Sequence, residues 1–289
     1  MRAVTSRTKR AGVMGWPVGH SLSPRIHGYW LDRYGIDGRY DLLPVPPEDL
    51  ESRVKSLAAD GLVGANVTVP HKEAALRAAD SADANARRVG AANTLVVGAD
   101  GKVAASNTDG FGFLENLRAG APDWRASSGP AVILGAGGAA RAVAAALLDA
   151  GAPRLILLNR TRERADVLAK DLGKITVVSW SERERILADA ALLVNATTLG
   201  MTGQPDLSLD LGRLPKTALV NDIVYRPLVT PLLASARARG NRTVDGLGML
   251  LHQARPGFEA WFGVRPEVTE DLRRRVLDGL VGMEGTAED

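Results

Sequence analysis

Ala131-Val-Ile-Leu-Gly135-Ala-Gly137-Gly-Ala-Ala140 is the stretch that decides the fold. Four apolar residues without alternation read as a strand buried on both faces, as in a parallel sheet. The apolar, small-residue run Gly138–Asp149 that follows reads as a helix. GxGxxA spacing between such a strand and such a helix is the turn of a dinucleotide-binding crossover. There Gly135 makes the tight turn and Gly137 lets the backbone approach a pyrophosphate, while Ala140 permits close helix packing. The run Gly135, Ala136, Gly137, Gly138 and Ala139 then offers free N–H groups and a helix dipole to phosphates. Taken by itself, a glycine-rich turn that binds nothing gives the same string.

Moving outward, Leu155–Leu158 reads as the next strand, and Asn159-Arg160-Thr161 stands at its end, with Arg164 one turn later. An NAD site needs a carboxylate at this strand end to bond the ribose hydroxyls, whereas a guanidinium there binds a 2′-phosphate. The pattern points to NADP; the other reading of these arginines is a solvated helix start. Arg162–Leu172 reads as a helix, and Ile175–Val178, Ala191–Val194 and Ala218–Val220 as further strands.

An earlier βαβαβ series is legible before it. Ala11–Gly15 is its first strand, with a helix from Ser23 that has Pro24 at its first position and Ser23 as a natural N-cap. Asp41–Val45, a helix after Pro47 and Leu62–Val69 complete the series, and Thr94–Val97 with Lys102–Ser106 read as a hairpin. Asp123–Gly129 reads as a loop and the last ~40 residues as helical by their apolar period. The expected class is therefore α/β with two domains: residues 1–112 as a substrate domain, and residues 113–246 as a Rossmann-like, doubly wound nucleotide domain.

Several polar residues stand where strands of the first half end. Ser21 and Ser23 follow the first strand, and Asn66 and Thr68 share one face of a strand by alternation. Lys72 follows that strand, Asn93 lies in Gly90-Ala-Ala-Asn-Thr94, and Asp109 lies in Asn107-Thr-Asp-Gly110. Taken alone, Lys72 and Asp109 are a surface lysine and a turn aspartate. Brought together they form a proton-transfer pair, the carboxylate orienting the ammonium. Trp16 reads as a packing residue.

Bulk properties narrow the class. The 289 residues carry 36 basic and 33 acidic side chains, interspersed, for a formal charge of +3, which leaves nucleic-acid binding without a basic block. There is no cysteine, so disulfides and thiolate metal sites are excluded, and the four histidines lack zinc-ligand spacing. No metal is expected. The basic opening Met1–Arg10 lacks an apolar signal core and no membrane span is expected, which reads as a cytoplasmic protein.

These motifs together resemble the shikimate dehydrogenase family nearly end to end. Gly15–Pro24, Asn66–Lys72, Gly90–Thr94, Asn107–Gly112, Gly135–Ala140 and Asn159–Thr161 follow the family pattern in order. Asn195–Met201, Asp222–Pro227, Thr230–Leu233 and Asp245–Ala254 continue it. The resemblance implies that residues 247–289 return as helices to complete the first domain. It implies that Ser21 and Ser23 bind a substrate carboxylate, and that Thr68, Asn93 and Gln253 bind ring hydroxyls, with Asn66 on the same wall. Lys72 and Asp109 become the catalytic pair and Tyr225 closes the substrate pocket. The glycine turn, Asn159 to Arg164, Ile223 and Gly246 line NADP. The implied reaction is reversible NADPH-dependent reduction of 3-dehydroshikimate to shikimate. A small-molecule substrate and a monomer or homodimer are expected. The chain departs from the common pattern at Ala84, where the family often has an acidic residue, and at His252. The rival readings are an NAD-dependent quinate/shikimate dehydrogenase and a nucleotide-binding regulator without catalysis. Arg160 and Ser23 argue against the first, and Lys72 with Asp109 against the second.

Overall fold

The computed structural model describes residues 8–284, so the basic opening lies outside the described residues up to position 7. The chain forms two compact units, one of residues 8–108 with 253–284 and the other of residues 109–252. The passages fall at 108/109 and 252/253, where the sequence reading puts them after 112 and 246. One passage is the start of a helix and the other lies inside one, so no break in hydropathy marks either.

In chain order the elements begin β1 (Lys9–Gly15), α1 (Ser23–Arg33), β2 (Gly38–Pro44), α2 (Leu50–Ser56), β3 (Leu62–Val67) and α3 (Lys72–Ala78). They continue β4 (Ser81–Ala82), α4 (Ala84–Val89), β5 (Thr94–Val97), β6 (Val103–Ser106), α5 (Asp109–Gly120), β7 (Ala131–Leu134) and α6 (Gly138–Asp149). Then come β8 (Leu155–Leu158), α7 (Arg162–Leu172), β9 (Ile175–Val177), β10 (Leu192–Asn195), β11 (Leu219–Asp222), α8 (Pro231–Ala238) and β12 (Arg242–Val244). The last two are α9 (Leu247–Phe262) and α10 (Glu270–Glu284).

In the first unit the sheet order is β2-β1-β3-β5-β6-β4. β1 pairs in parallel with β2 and β3, as the βαβαβ reading requires, and β5 and β6 form the antiparallel hairpin. Three local expectations change. Ser23 is the first residue of α1 and not its cap; Leu22 occupies the cap without a side-chain bond. The Ser21 hydroxyl instead accepts from the Ser23 N–H at 3.3 Å, and Pro24 takes the second helical position. Thr68 lies one residue past β3, its N–H donating to the Met14 carbonyl (2.9 Å). Trp16 is 49% exposed, because β1 ends at Gly15 and the chain turns out of the sheet.

An aromatic cluster packs beside this sheet. Phe258 and Trp261 of α9 meet Trp30 and His27 of α1 and Tyr40 of β2, all buried. The Trp261 indole donates to the Leu95 carbonyl (3.0 Å), and Gly64 of β3 lies against that indole where any Cβ would overlap it. The His27 imidazole is fully buried and stacked on Tyr40 at 3.9 Å. Burial lowers its pKa to about 3, an effect that Asn66 opposes only in part. Tyr40 and the 93–94 segment occupy the Asn66 amide, and both imidazole nitrogens lack a hydrogen-bond partner.

The unfolded imidazole takes up its proton near pH 6.5, and the folded one only near pH 3. The stability this neutral ring preserves is therefore whole above pH 6.5 and declines as the pH falls toward 3. Urea unfolding at pH 7 and pH 5 should show a loss of about 2 kcal/mol in the natural protein that is absent from His27→Phe. Equal losses in both would remove His27 as the cause.

The second unit carries a sheet in the order β12-β11-β10-β7-β8-β9 with all pairs parallel. Counted from β7 this is the 3-2-1-4-5-6 order of a doubly wound fold. Its strands are apolar throughout because both faces are covered. Ile133, Leu157 and Val194 enter one core, while Val132, Leu134, Ile156 and Leu158 enter the other. Among the described residues no helix is long and apolar enough to cross a membrane.

Candidate functional site

The strand order reverses between β7 and β10, so their carboxyl ends form the crevice where such sheets take ligands. Gly135 lies in this switch with φ +107°, and a Cβ there would stand 2.7 Å from the Ala196 carbonyl oxygen, so only glycine fits the turn. Gly137 caps α6 without a side-chain bond, and a Cβ at Gly137 or Gly138 would meet nothing within 4 Å. Both are exposed, with Ala136 and Ala139 half-buried on either side. The amino end of a twelve-residue helix thus faces open space with unbonded N–H groups, which suits a pyrophosphate.

At the end of adjacent β8, Asn159 folds its amide onto the Thr161 carbonyl (2.7 Å). Arg160, Thr161 and Arg164 are exposed beside it. The only acid in the first turn of α7 is Glu163, and none lies at the strand end itself. The residues present therefore fit a dinucleotide with an additional phosphate on its ribose.

A buried carboxylate shapes the opposite wall. Asp222 accepts from Asn195 (3.0 Å), the Val224 N–H (3.0 Å) and the Thr230 hydroxyl (2.7 Å). Burial pushes its pKa up, and these three bonds oppose that. Asn195 in turn accepts from the Thr197 hydroxyl (2.7 Å) and N–H (3.1 Å), which sets the 196–199 loop beside Gly135. The same network holds the segment after β11, where Ile223 covers buried Gly246 and Tyr225 follows. Burial raises the Tyr225 pKa, so its phenol stays protonated. Asp222, Asn195 and Thr230 were visible only as motif letters; their mutual bonds join three separated segments.

The first unit gathers a second polar set. Asn93, buried after β4 and α4, accepts at Oδ1 from the Thr108 N–H (2.9 Å) and donates from Nδ2 to Gln253 Oε1 (3.2 Å). The Thr108 hydroxyl donates to the Gln253 carbonyl (2.8 Å). Thr108 and Thr94 are linking residues that the reading of single motifs misses; each stands next to a residue it singled out. Asn66 donates from Nδ2 to the Asn93 carbonyl (3.1 Å) and to the Thr94 hydroxyl (3.3 Å). Ser23 is buried and Ser21 half-buried at the start of α1. Lys72 opens α3, half-buried, and its carbonyl accepts from the Ala92 N–H (2.8 Å), which ties α3 to the segment that carries Asn93. Asp109 is buried at the first position of α5 in the other unit. Ala84, where the chain departs from the pattern, is the first residue of α4. Asp83 is the N-cap of α4 and accepts from the Ala86 N–H at 2.6 Å. His252 is half-buried within α9. Among the described residues no three His, Asp or Glu side chains gather as a metal site.

A doubly wound sheet with an open helix start that suits a phosphate, joined to a second α/β unit rich in buried hydroxyls and amides, defines the class of two-unit nucleotide-dependent dehydrogenases. The chain belongs to the shikimate dehydrogenase family. Residues 13–95 match the shikimate dehydrogenase substrate binding domain, 123–201 the shikimate / quinate 5-dehydrogenase family, and 246–277 the shikimate 5'-dehydrogenase C-terminal domain. The shikimate dehydrogenase (NADP(+)) of Paramagnetospirillum magneticum is 62% identical over 275 residues, covering 95% of this chain and 100% of that one. A shikimate 5-dehydrogenase of Thermus thermophilus, solved with NADP(H) and shikimate, is 38% identical with a TM-score of 0.84 over 94% of this chain and 100% of that one. The quinate dehydrogenase of Corynebacterium glutamicum, solved with NAD, is 31% identical with a TM-score of 0.87 over 94% of this chain and 99% of that one.

Proposed function

We propose that this protein is an NADP-dependent shikimate dehydrogenase that reversibly reduces 3-dehydroshikimate to shikimate in aromatic amino-acid biosynthesis. The observation that carries the cofactor choice is Arg160, a cation at the end of β8 where an NAD site needs a carboxylate. Full-length identity to NADP-dependent relatives supports the same reading for the substrate.

In this reading Ser21 and Ser23 bind the substrate carboxylate. Thr68, Asn93 and Gln253 bind the ring hydroxyls beside Asn66, and Tyr225 is a further substrate contact. Gly135 to Ala139, Asn159 to Arg164, Ile223 and Gly246 line the cofactor, the glycine turn at its pyrophosphate and Arg160 at its ribose phosphate. Bound NADPH supplies hydride to the ring ketone carbon. Lys72 donates the proton that the ketone oxygen then needs, and Asp109 orients and stabilises the ammonium. In the reverse direction Lys72 takes the hydroxyl proton. The first unit is the substrate domain and the doubly wound unit the nucleotide domain. The assignment includes a cytoplasmic setting and a monomer or homodimer, which sedimentation distinguishes.

Initial rates with NADP+ and NAD+, each against shikimate and quinate, test the whole assignment. The highest kcat/KM is expected for NADP+ with shikimate. Faster turnover with NAD+ overturns the cofactor choice, and faster turnover of quinate overturns the substrate. Tight NADPH binding without turnover of either substrate points to the regulator. Arg160→Ala should raise the NADP+ KM about ten- to a hundredfold, the worth of a charge-assisted hydrogen bond, and leave NAD+ kinetics unchanged. Equal losses with both cofactors would count against phosphate recognition by Arg160.

A further inference from the structure

Tyr40 belongs to none of the motifs, yet its hydroxyl stands inside the polar set of the first unit. It lies in mid-β2, opposite Ala11 of β1, and is 7% exposed. The phenol donates to Asn66 Oδ1 at 2.6 Å. The donors of that amide are held by the Asn93 carbonyl and the Thr94 hydroxyl, so the orientation of Asn66 is determined from both ends. Thr94 donates onward to Asn93 Oδ1 (3.1 Å), and Asn93 Nδ2 donates to Gln253. Tyr40 is thus the first link of a hydrogen-bonded chain that runs to Asn93 and Gln253.

Asn66 is the one hydrogen-bond partner of the phenol among the described residues. Burial raises the phenol's pKa well above the ordinary tyrosine value, and Ser23 opposes this, so the group remains a donor at working pH. The ring is held in place by His27, coplanar within 6° at 3.9 Å, and by Trp261 at 6.0 Å. His27 is one helical turn beyond Ser23 on α1, so the stack and the serine come from the same helix face.

We propose that Tyr40 is a positioning residue of the substrate site, its hydroxyl fixing the orientation of the Asn66 amide on β3. It thereby sets the wall that receives the ring hydroxyls, through the bonds that run from Asn66 to Asn93 and Gln253. This rests on the shikimate reading given above. Phenylalanine keeps the ring packing and removes only the hydroxyl. Losing one net hydrogen bond predicts that Tyr40→Phe raises the shikimate KM about five- to tenfold. kcat should stay within about threefold, with the NADP+ KM and the melting temperature little changed.

Asn66→Ala should raise the shikimate KM as well. The double variant should be no worse than the weaker-binding single one, because both changes break the same chain. A folded Tyr40→Phe enzyme with the natural shikimate KM overturns the proposal. So do fully additive effects, and so does a parallel rise of both KM values with a lowered melting temperature, which marks a merely structural role. The natural enzyme measured alongside separates this from failure of the function. If it does not turn over shikimate at all, the substrate assignment falls and Tyr40 falls with it. If it does and Tyr40→Phe matches it, only the role of Tyr40 is lost.

Discussion

Lys72→Ala is expected to lower kcat about a hundred- to ten-thousandfold, the contribution of a positioned proton donor, while the shikimate KM moves by no more than a few-fold. Hydride addition to a ketone leaves negative charge on oxygen, and a proton delivered there lowers the barrier only in the transition state. Loss of such a group therefore falls on kcat rather than on binding. The fold should tolerate the change. Lys72 is the first residue of a short helix, alanine is the best helix former, and the bond to Ala92 uses the Lys72 backbone carbonyl. Lys72→Arg should not restore the rate, because a guanidinium does not release its proton near neutrality. Asp109→Asn should reproduce much of the loss, and the two together should cost little more than either alone, since they act as a unit. Steady-state kinetics decide the matter, and near-natural kcat in Lys72→Ala would remove the lysine from the chemistry.

Trp261→Ala should destabilise the protein by about 3–5 kcal/mol. The indole is 2% exposed and lies within 6.4 Å, centroid to centroid, of His27, Tyr40 and Phe262. Gly64 lets it sit directly on β3, so truncation opens a cavity that backbone cannot fill. The Leu95 carbonyl also loses the indole N–H as its partner. Trp261→Phe keeps most of the volume and should lose roughly a third of that amount. Guanidinium unfolding measures both. A loss below about 1 kcal/mol for the alanine variant would mean that α9 contributes little to holding this unit together.

The second unit was largely legible before folding. Its strands are continuous apolar runs and its helices carry a 3.6-residue period, both consequences of burying a sheet on two faces. The glycine turn was equally plain, because a tight turn and an approach to phosphate each exclude a side chain at a set position. Short helices escaped notice. α3 and α4 span seven and six residues, too few for a period to emerge. α5 was hidden by the two glycines in its first turn, Gly110 and Gly112. Ser23 misled for another reason: its residue type suits a cap, but the chain begins the helix at Ser23 and gives the accepting role to Ser21.

By itself the sequence determined the α/β class, the nucleotide turn, the cation at the end of β8 and the family. Each depends on residues close together in the chain, where periodicity and turn chemistry act. Only the tertiary structure decided which distant groups share hydrogen bonds. Tyr40 meets Asn66, Asn93 meets Gln253, and Asp222 meets Thr230 and Asn195. The physical reason is that a buried polar group must find a partner wherever the packed elements place one. That choice is made by strand order and helix docking, which residue spacing does not encode.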